Sequence, residues 1–335
     1  MQDTHVSLAH GNGGRFMREL IDEIFARHLR NPDLDVHADA VPITLPAGTP
    51  VFTTDGFTVQ PLEFPGGDIG ALAVHGTCND LAVAGADPCY LALNAFIEEG
   101  LAIDQLDRLI ASVARAAAGC GARVVAGDTK VVRRGEGGGL YLATTGVGVR
   151  PAGVTLGMGQ IQAGDRVLVS GPVGDHGIAV MLAREAFGMR GDLHSDAGSV
   201  LPLTRAIRAL PGVRFLRDPT RGGLATVMHE LVLATGLAVR LDGPAVPISD
   251  PVQAVCEMLG YDPLYLACEG RVVAVVAPER AAEVLALWQA LPAGQGARLI
   301  GEVIASERPR VLITTELGGE RILDELEDDP LPRIC

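Results

Sequence analysis

Twice in this 335-residue chain an apolar run stops at an aspartate set among small or kinked residues. Arg123-Val124-Val125-Ala126 leads into Gly127-Asp128-Thr129-Lys130. Val213-Arg214-Phe215-Leu216-Arg217 leads into Asp218-Pro219-Thr220-Arg221-Gly222-Gly223. Short apolar runs bounded by Gly, Pro and Asp read as strands ending in turns. The shared order of strand, acidic corner and helix reads as a weak internal duplication into two units. This repetition constrains the fold most, because each unit needs a sheet with helices packed on it. A chain of 335 residues with 48% hydrophobic content is long enough for two such cores.

The other elements follow the same logic. A helix is expected after the glycine loop His10-Gly11-Asn12-Gly13-Gly14-Arg15, with Phe16, Leu20, Ile21, Ile24 and Phe25 on one face and Asn31-Pro32 as its stop. Residues 50–54 read as a strand delivering Asp55, 69–85 as a helix, 90–97 as a strand and 140–149 as another. The clearest helix carries the stripe Ile103, Leu106, Leu109, Ile110, Val113, Ala114 and Ala117. Beyond a Gly-rich joint at 151–164, strands are expected at 166–170, 213–217, 272–277, 298–305 and 310–314. Helices are expected at 178–187, 197–209, 224–235 and 279–291. This alternation is too loose for a doubly wound parallel sheet, so the fold class is α+β. The expected divisions are 1–40 (glycine loop and helix), 41–151 and 152–318 (two α+β domains) and 319–335 (a mobile tail).

Charge and cysteine content narrow the function. A net charge of −14 argues against nucleic-acid binding, which needs clustered Lys and Arg. Aromatic residues at 4% offer no stacking platform for single strands. The start Met1-Gln2-Asp3-Thr4-His5 has no signal-peptide character, and no apolar run reaches a membrane-spanning length. Cys78, Cys89, Cys120, Cys256 and Cys268 sit in apolar surroundings and read as small buried hydrophobes in a reducing cytoplasm. No Cys or His spacing supports zinc, and His75 and His176 read as packed or capping residues.

Four aspartates stand out. Asp55, Asp128 and Asp218 follow apolar strands, and Asp80 sits beside Asn79 in an otherwise apolar helix, where a charge needs a partner. Carboxylates from several corners meeting in one cleft suit Mg²⁺, which takes a few carboxylates plus substrate phosphates. The same residues also suit turns and caps. Lys130 and Arg221 follow two of these corners and suit neutralisation of a phosphoryl group. With 42 glycines, about one residue in eight, the chain has loops at 11–14, 66–67, 137–139 and 222–223 whose N–H groups suit phosphates. Neither a P-loop nor a dinucleotide fingerprint is present. Glu269, in Ala267-Cys268-Glu269-Gly270, stands between apolar residues, where burial would raise its pKa and suit it to act as a base; a plain turn glutamate is the alternative.

The chain closes on Pro330-Leu331-Pro332-Arg333-Ile334-Cys335. Seven acids and one arginine occupy 316–329, and two prolines stiffen residues 330–335, so neither helix nor strand is expected there. The 15 residues from Arg321 to Cys335 reach at most roughly 50 Å. A terminal thiol on such a tether can enter a cleft and leave it.

Together these motifs resemble the HypE family of hydrogenase maturation proteins, within the superfamily of AIR synthetase, selenophosphate synthetase and thiamine-monophosphate kinase. The resemblance spans the chain. It rests on His10–Arg15, Thr54-Asp55-Gly56, Cys78-Asn79-Asp80-Leu81, Gly127–Lys130, Asp218–Gly223 and the terminal Pro332-Arg333-Ile334-Cys335. It implies a two-domain AIR synthetase-like (PurM-like) fold whose N-terminal domains pair into a homodimer. It also implies ATP-dependent dehydration of a carboxamide carried on Cys335, thiocarboxamide to thiocyanate, supplying cyanide to the iron of a nickel-iron hydrogenase. The implied partners are the carbamoyltransferase HypF and the HypC–HypD complex, with no nucleic acid and no membrane. On this resemblance ATP meets Gly11, Asn12, Gly13, Gly14, Asp55, Asp80, Asp128, Thr129, Thr220 and Arg221. Mg²⁺ meets Asp55, Asp80, Asp128 and Asp218, and Cys335, Glu269 and Lys130 carry the chemistry. The competing expectations are a superfamily kinase or ligase acting on a free small molecule, which would not need Cys335, and a non-catalytic adaptor docking through its acidic tail.

Overall fold

The computed structural model describes residues 3–184 and 192–327. Two compact units divide the chain. One holds the described residues up to Leu81 and Ala86–Arg150, the other Ala82–Gly85 and the described residues from Pro151 on.

The first unit opens with α1 (Arg15–Leu20), a π-wound segment (Ile21–Ala26) and α2 (Arg27–Leu29). Then come β1 (Thr49–Phe57), the short hairpin β2 (Glu63–Phe64) and β3 (Gly67–Asp68), and α3 (Ile69–Val83). β4 (Asp87–Glu98), α4 (Ile103–Cys120), β5 (Arg123–Val132) and β6 (Leu140–Arg150) complete it. The sheet order is β1-β6-β4-β5, with only the β4–β5 pair parallel. α4 follows its apolar stripe: Leu106, Leu109, Ile110, Val113 and Ala117 are all buried. Each fully buried Leu, Ile or Val side chain contributes about 1.5–3 kcal/mol. The helix-free face of the sheet leaves Phe52 70% and Phe96 40% exposed.

Two expectations need correction here. Asp55 and Asp128 do not stand at strand-ending corners. β1 runs on to Phe57 because residues 55–57 keep pairing with Thr144, Ala143 and Leu142. β5 runs on to Val132 because its pairing with β4 continues through Asn94–Asp128 and Phe96–Lys130. Both are edge strands, where a charged side chain leaves the ladder intact and discourages further pairing.

The second unit comprises β7 (Arg166–Val169), α5 (Asp175–Arg184), α6 (Leu201–Ile207), β8 (Val213–Arg217) and α7 (Gly223–Thr235). After these come β9 (Ala238–Asp242), α8 (Asp250–Leu259), β10 (Val273–Val276) and α9 (Ala281–Gln289). β11 (Arg298–Ile304), β12 (Val311–Thr314) and β13 (Glu320–Ile322) close it. The sheet order is β13-β12-β9-β11-β7-β10-β8, and only β9–β12 is parallel. Its central strands are apolar on both faces because both faces are covered. Val167, Val169, Val273 and Val275 pack with Leu224, Met228 and Leu231 of α7. Leu168, Ala274 and Val276 pack with Leu203 and Ile207 of α6 and Val284 and Trp288 of α9.

β9 and α8 lie in a stretch for which the sequence had suggested no element. The start and stop signals of α8 are nevertheless present: Ser249 at the cap, Pro251 in the first turn and Gly260, in the left-handed region, just after the end. The acidic tail needs a second correction. Residues 320–322 form β13 against β12, and fully buried Leu323 donates its N–H to the Val311 carbonyl at 3.0 Å. Tyr265 Oη donates to the Asp324 carbonyl at 2.6 Å. Residues 320–324 are therefore held in the second unit rather than belonging to a mobile tail, and residues 328–335 lie outside the described residues.

Candidate active site

In the first unit the glycine loop is placed by a local capping interaction. The Ser7 N–H donates to His10 Nδ1 at 3.0 Å, and His10 is fully buried. Gly11, Asn12, Gly13 and Gly14 are exposed beyond it. The loop lies on β5: a Cβ at Gly11 would sit 3.0 Å from Val131 Cβ, next in sequence to Lys130. By contrast, the loop at 137–139 offers its donors elsewhere. The Glu98 carboxylate accepts the N–H groups of Gly135 and Gly139 at 2.6 and 2.8 Å. Those two bonds hold the Glu98 carboxyl below its usual range.

Strand alternation sorts the three aspartates of this unit. Asp55 pairs with Thr144, Thr144 with Leu93 and Leu93 with Gly127, so these positions share a face. That face meets α3. Thr53 Oγ1 donates to Asp80 Oδ2 at 2.8 Å, and Asp55 Oδ2 lies 3.9 Å from where a Cβ of Gly76 would be. Gly76 and Asp80 are one helical turn apart, so Asp55 and Asp80 flank a single strand–helix seam. Asp128, one residue on from Gly127, projects from the opposite face with Lys130. Its Oδ2 is 2.8 Å from Lys130 Nζ, and both side chains are more than half exposed. Thr129, between them, points back to the Asp55 face. Its Oγ1 is buried and has no hydrogen-bond partner among the described residues. The expected meeting of carboxylates is therefore realised within this unit only for Asp55 and Asp80. Period-two alternation sends Asp128 the other way.

In the second unit Asp218 directly follows β8 and is buried. Its turn is tied to the segment that carries Glu269, since the Cys268 N–H donates to the Pro219 carbonyl at 3.0 Å. Gly223 has φ +62°, and a Cβ there would stand 2.6 Å from the carbonyl oxygens of Leu264 and Leu266, so the turn fits only glycine. Thr220 is half-buried and Arg221 exposed. Glu269 is 5% exposed, and next to it Cys268 is fully buried, with its thiol pushed up chiefly by burial.

Beneath Glu269 lies a charge network that the sequence did not suggest. Arg271 Nη2 is 3.2 Å from Asp175 Oδ2, and Arg271 Nε is 3.4 Å from Asp196 Oδ2. Ser249 Oγ donates to Asp175 Oδ1 at 2.7 Å. Burial pushes the carboxyls of both Asp175 and Asp196 upward. His176 is packed, as the sequence suggested: Nδ1 shares a 2.8 Å hydrogen bond with Ser195 Oγ, and burial lowers its pKa to about 4. The only hint in the sequence was Arg271 itself, a charge wedged between Gly270 and the apolar run Val272–Val276. Among the cysteines expected to be buried, Cys89 is only partly so.

Comparison with known proteins fits this geometry. Residues 37–150 match the N-terminal domain, and residues 162–314 the C-terminal domain, of AIR synthase related proteins. The chain is 47% identical over 336 aligned positions to the carbamoyl dehydratase HypE of Azotobacter vinelandii, covering 100% of this chain and 98% of that one. This chain belongs to the HypE family. Among solved HypE structures, a hydrogenase maturation protein HypE in complex with ATP superposes with a TM-score of 0.93 at 40% identity, covering 98% of this chain and 99% of that one. A HypE–HypF complex gives 0.81 at 40% identity, covering 92% and 99%.

As a HypE-family chain, the protein can be tested for fit to ATP and magnesium. No group of three His, Cys, Asp or Glu side chains able to hold a metal ion exists among the described residues. Mg²⁺ does not need one, because it is held by one or two carboxylates with water and phosphate oxygens. The Asp55–Asp80 seam offers two. The leftover hydroxyl of Thr129 is a phosphate-type donor, whereas in the glycine loop the Asn12 N–H already donates to the Ala9 carbonyl and the Gly13 N–H to Met17 Sδ. The residues present fit the group. Cys335 lies outside the described residues.

Proposed function

We propose that this chain performs the ATP-dependent dehydration of a carboxamide held on Cys335, converting a thiocarboxamide into a thiocyanate that supplies cyanide to hydrogenase iron. The observation that carries the reading is a buried glutamate, Glu269, in a chain matched end to end to carbamoyl dehydratases.

An amide oxygen leaves poorly, so the carboxamide oxygen takes the γ-phosphoryl group of ATP. The O–P bond forms, the bond to ADP breaks, and one N–H proton is lost. The C–O bond then breaks, phosphate leaves with the bonding pair, the second N–H proton is lost, and C≡N remains on sulfur. Glu269 is the base for the nitrogen. Lys130 and Arg221 neutralise charge on the transferring group. The exposed loop Gly11, Asn12, Gly13 and Gly14 packs against the nucleotide, and Thr129 offers it a hydroxyl. Asp55 and Asp80, which flank one strand–helix seam, would hold the magnesium ion, and the ion would supply charge neutralisation at the phosphates; the expected Asp128 projects from the opposite face of that sheet. Lys130 is held to Asp128 by an exposed ion pair, which costs little to exchange for a phosphate.

The 11 residues from Glu325 to Cys335 span at most about 40 Å, which sets the reach of the thiol from its anchor at Leu323 and Asp324. A HypF-type carbamoyltransferase loads the thiol, a HypC–HypD-type complex receives the cyano group, and the reaction belongs in the cytoplasm. The face bearing Phe52 and Phe96 is the homodimer surface. No helix among the described residues is long and apolar enough to cross a membrane.

The test is Glu269→Gln. ATP affinity by calorimetry should persist, while loss of one water from carbamoylated Cys335, read by intact mass, should stop. Full turnover would remove Glu269 from the chemistry. ATP turnover on a free small molecule after Cys335→Ala would replace the dehydratase reading with a superfamily kinase or ligase.

A further inference from the structure

The loop that grips Glu269 comes from 73 residues earlier in the chain. Asp196 Oδ1 accepts the Glu269 N–H at 3.1 Å. Asp196 Oδ2 accepts the Gly270 N–H at 3.2 Å. The Gly198 N–H donates to the Glu269 carbonyl at 3.5 Å. Every backbone polar group from the Glu269 nitrogen to the Gly270 nitrogen is thus held by residues 196–198. The fit is tight: a Cβ on Gly270 would stand 1.9 Å from the Asp196 carbonyl oxygen.

The grip is itself fixed from two sides. Arg271 pairs with the Asp196 carboxylate, which is 1% exposed, and is in turn held by Asp175. Ser195 Oγ accepts the Ala197 N–H at 2.9 Å while bonded to buried His176. A buried carboxylate costs several kcal/mol that its partners only partly return, and apolar packing of the same volume is often the more stable choice. Stability alone is therefore a poor reason for an ion at this place. What the carboxylate achieves is directional, because one rigid group accepts from two successive amides and leaves the Glu269 peptide a single orientation.

We propose that Asp196 is a positioning residue: its carboxylate, locked by Arg271, clamps the Glu269 peptide and so aims the Glu269 side chain at the reacting nitrogen. The inference rests on the reading of Glu269 as the base. A displaced base loses rate steeply, since an error of about 1 Å can cost on the order of 100-fold.

The test compares single turnovers of Asp196→Asn, Asp175→Asn and Glu269→Gln in the full-length chain loaded at Cys335. Asp196→Asn keeps one acceptor, loses the other and leaves Arg271 paired with Asp175 alone. It should slow water loss by roughly 10- to 100-fold while the KM for ATP stays within about 3-fold. Asp175→Asn disturbs the same arginine without touching the Glu269 peptide, and its rate should stay within about 3-fold of the parent. A role in stability alone would slow both variants alike, and that result overturns the inference. An inactive Glu269→Gln beside a full-rate Asp196→Asn also overturns it, while leaving Glu269 as the base. A full-rate Glu269→Gln removes both. If Asp196→Asn does not fold, amide exchange in the parent protein decides. Core-like protection of the Glu269 and Gly270 amides supports the clamp, and loop-like exchange overturns it.

Discussion

Two ion pairs, one in each unit, show how the same chemistry is put to opposite uses. Lys130–Asp128 lies on an edge strand, with side chains 63% and 53% exposed. Arg271–Asp196 lies under Glu269, with side chains 15% and 1% exposed. Water screens the first, so the pair contributes at most about 1 kcal/mol and either charge can be redirected to a ligand. The second cannot be broken without leaving a charge in a low-dielectric interior, so it behaves as scaffold. Exposure, rather than the residue types, separates a group that can meet a phosphate from a group that holds another group in place.

The comparison breaks most readily at its buried end. Arg271→Met should destabilise the protein by about 3–5 kcal/mol, because it strands the carboxylates of Asp175 and Asp196. Denaturant titration measures this, and a loss under about 1 kcal/mol would put the buried pair in the same class as the exposed one.

A smaller effect comes from His176, which supports the Asp196 loop through Ser195. Its pKa falls from 6.5 in the unfolded chain to about 4 in the folded one. Below pH 6.5 the unfolded chain takes up a proton that the folded chain refuses, so stability falls as the pH drops towards 4. The total loss is about 3 kcal/mol, with about 2 kcal/mol of it gone by pH 5. The raised carboxyls of Asp175 and Asp196 act in the opposite sense. Comparing the parent with His176→Asn at pH 7 and pH 5 isolates the histidine, and equal acid sensitivity in the two would contradict its assignment.

Lys130→Met should give the smallest change in stability, within about 1 kcal/mol by thermal unfolding. On the proposed role of Lys130 at the phosphates, turnover should nevertheless fall. Unchanged turnover would make the pair an ordinary edge-strand decoration.

How far the sequence reached depends on the range over which each signal acts. The α4 stripe was legible because helix periodicity repeats within a few residues. The demand of Asp80 for a partner was legible because a charge in an apolar helix is costly wherever it lies, and Thr53 meets that demand. The positions of Asp55 and Asp128 were misread as corners because glycine nearby mimics a turn, whereas cross-strand pairing carries both strands onward. β13 was missed because acidic residues suggest a solvated tail, while pairing with β12 and the burial of Leu323 hold the segment in the sheet.

By itself the sequence determined the α+β class, the motif set that marks the family, Glu269 as a glutamate in apolar surroundings, and a terminal thiol beyond an acidic stretch. Each of these is written in neighbouring residues. The tertiary structure alone decided which face of the first sheet each aspartate serves, and that Asp196 and Arg271 hold the peptide of Glu269. Those facts depend on strand register and on contacts between residues tens of positions apart, and such contacts leave no period in the chain. A buried charge reveals its purpose only once its partners are in place around it.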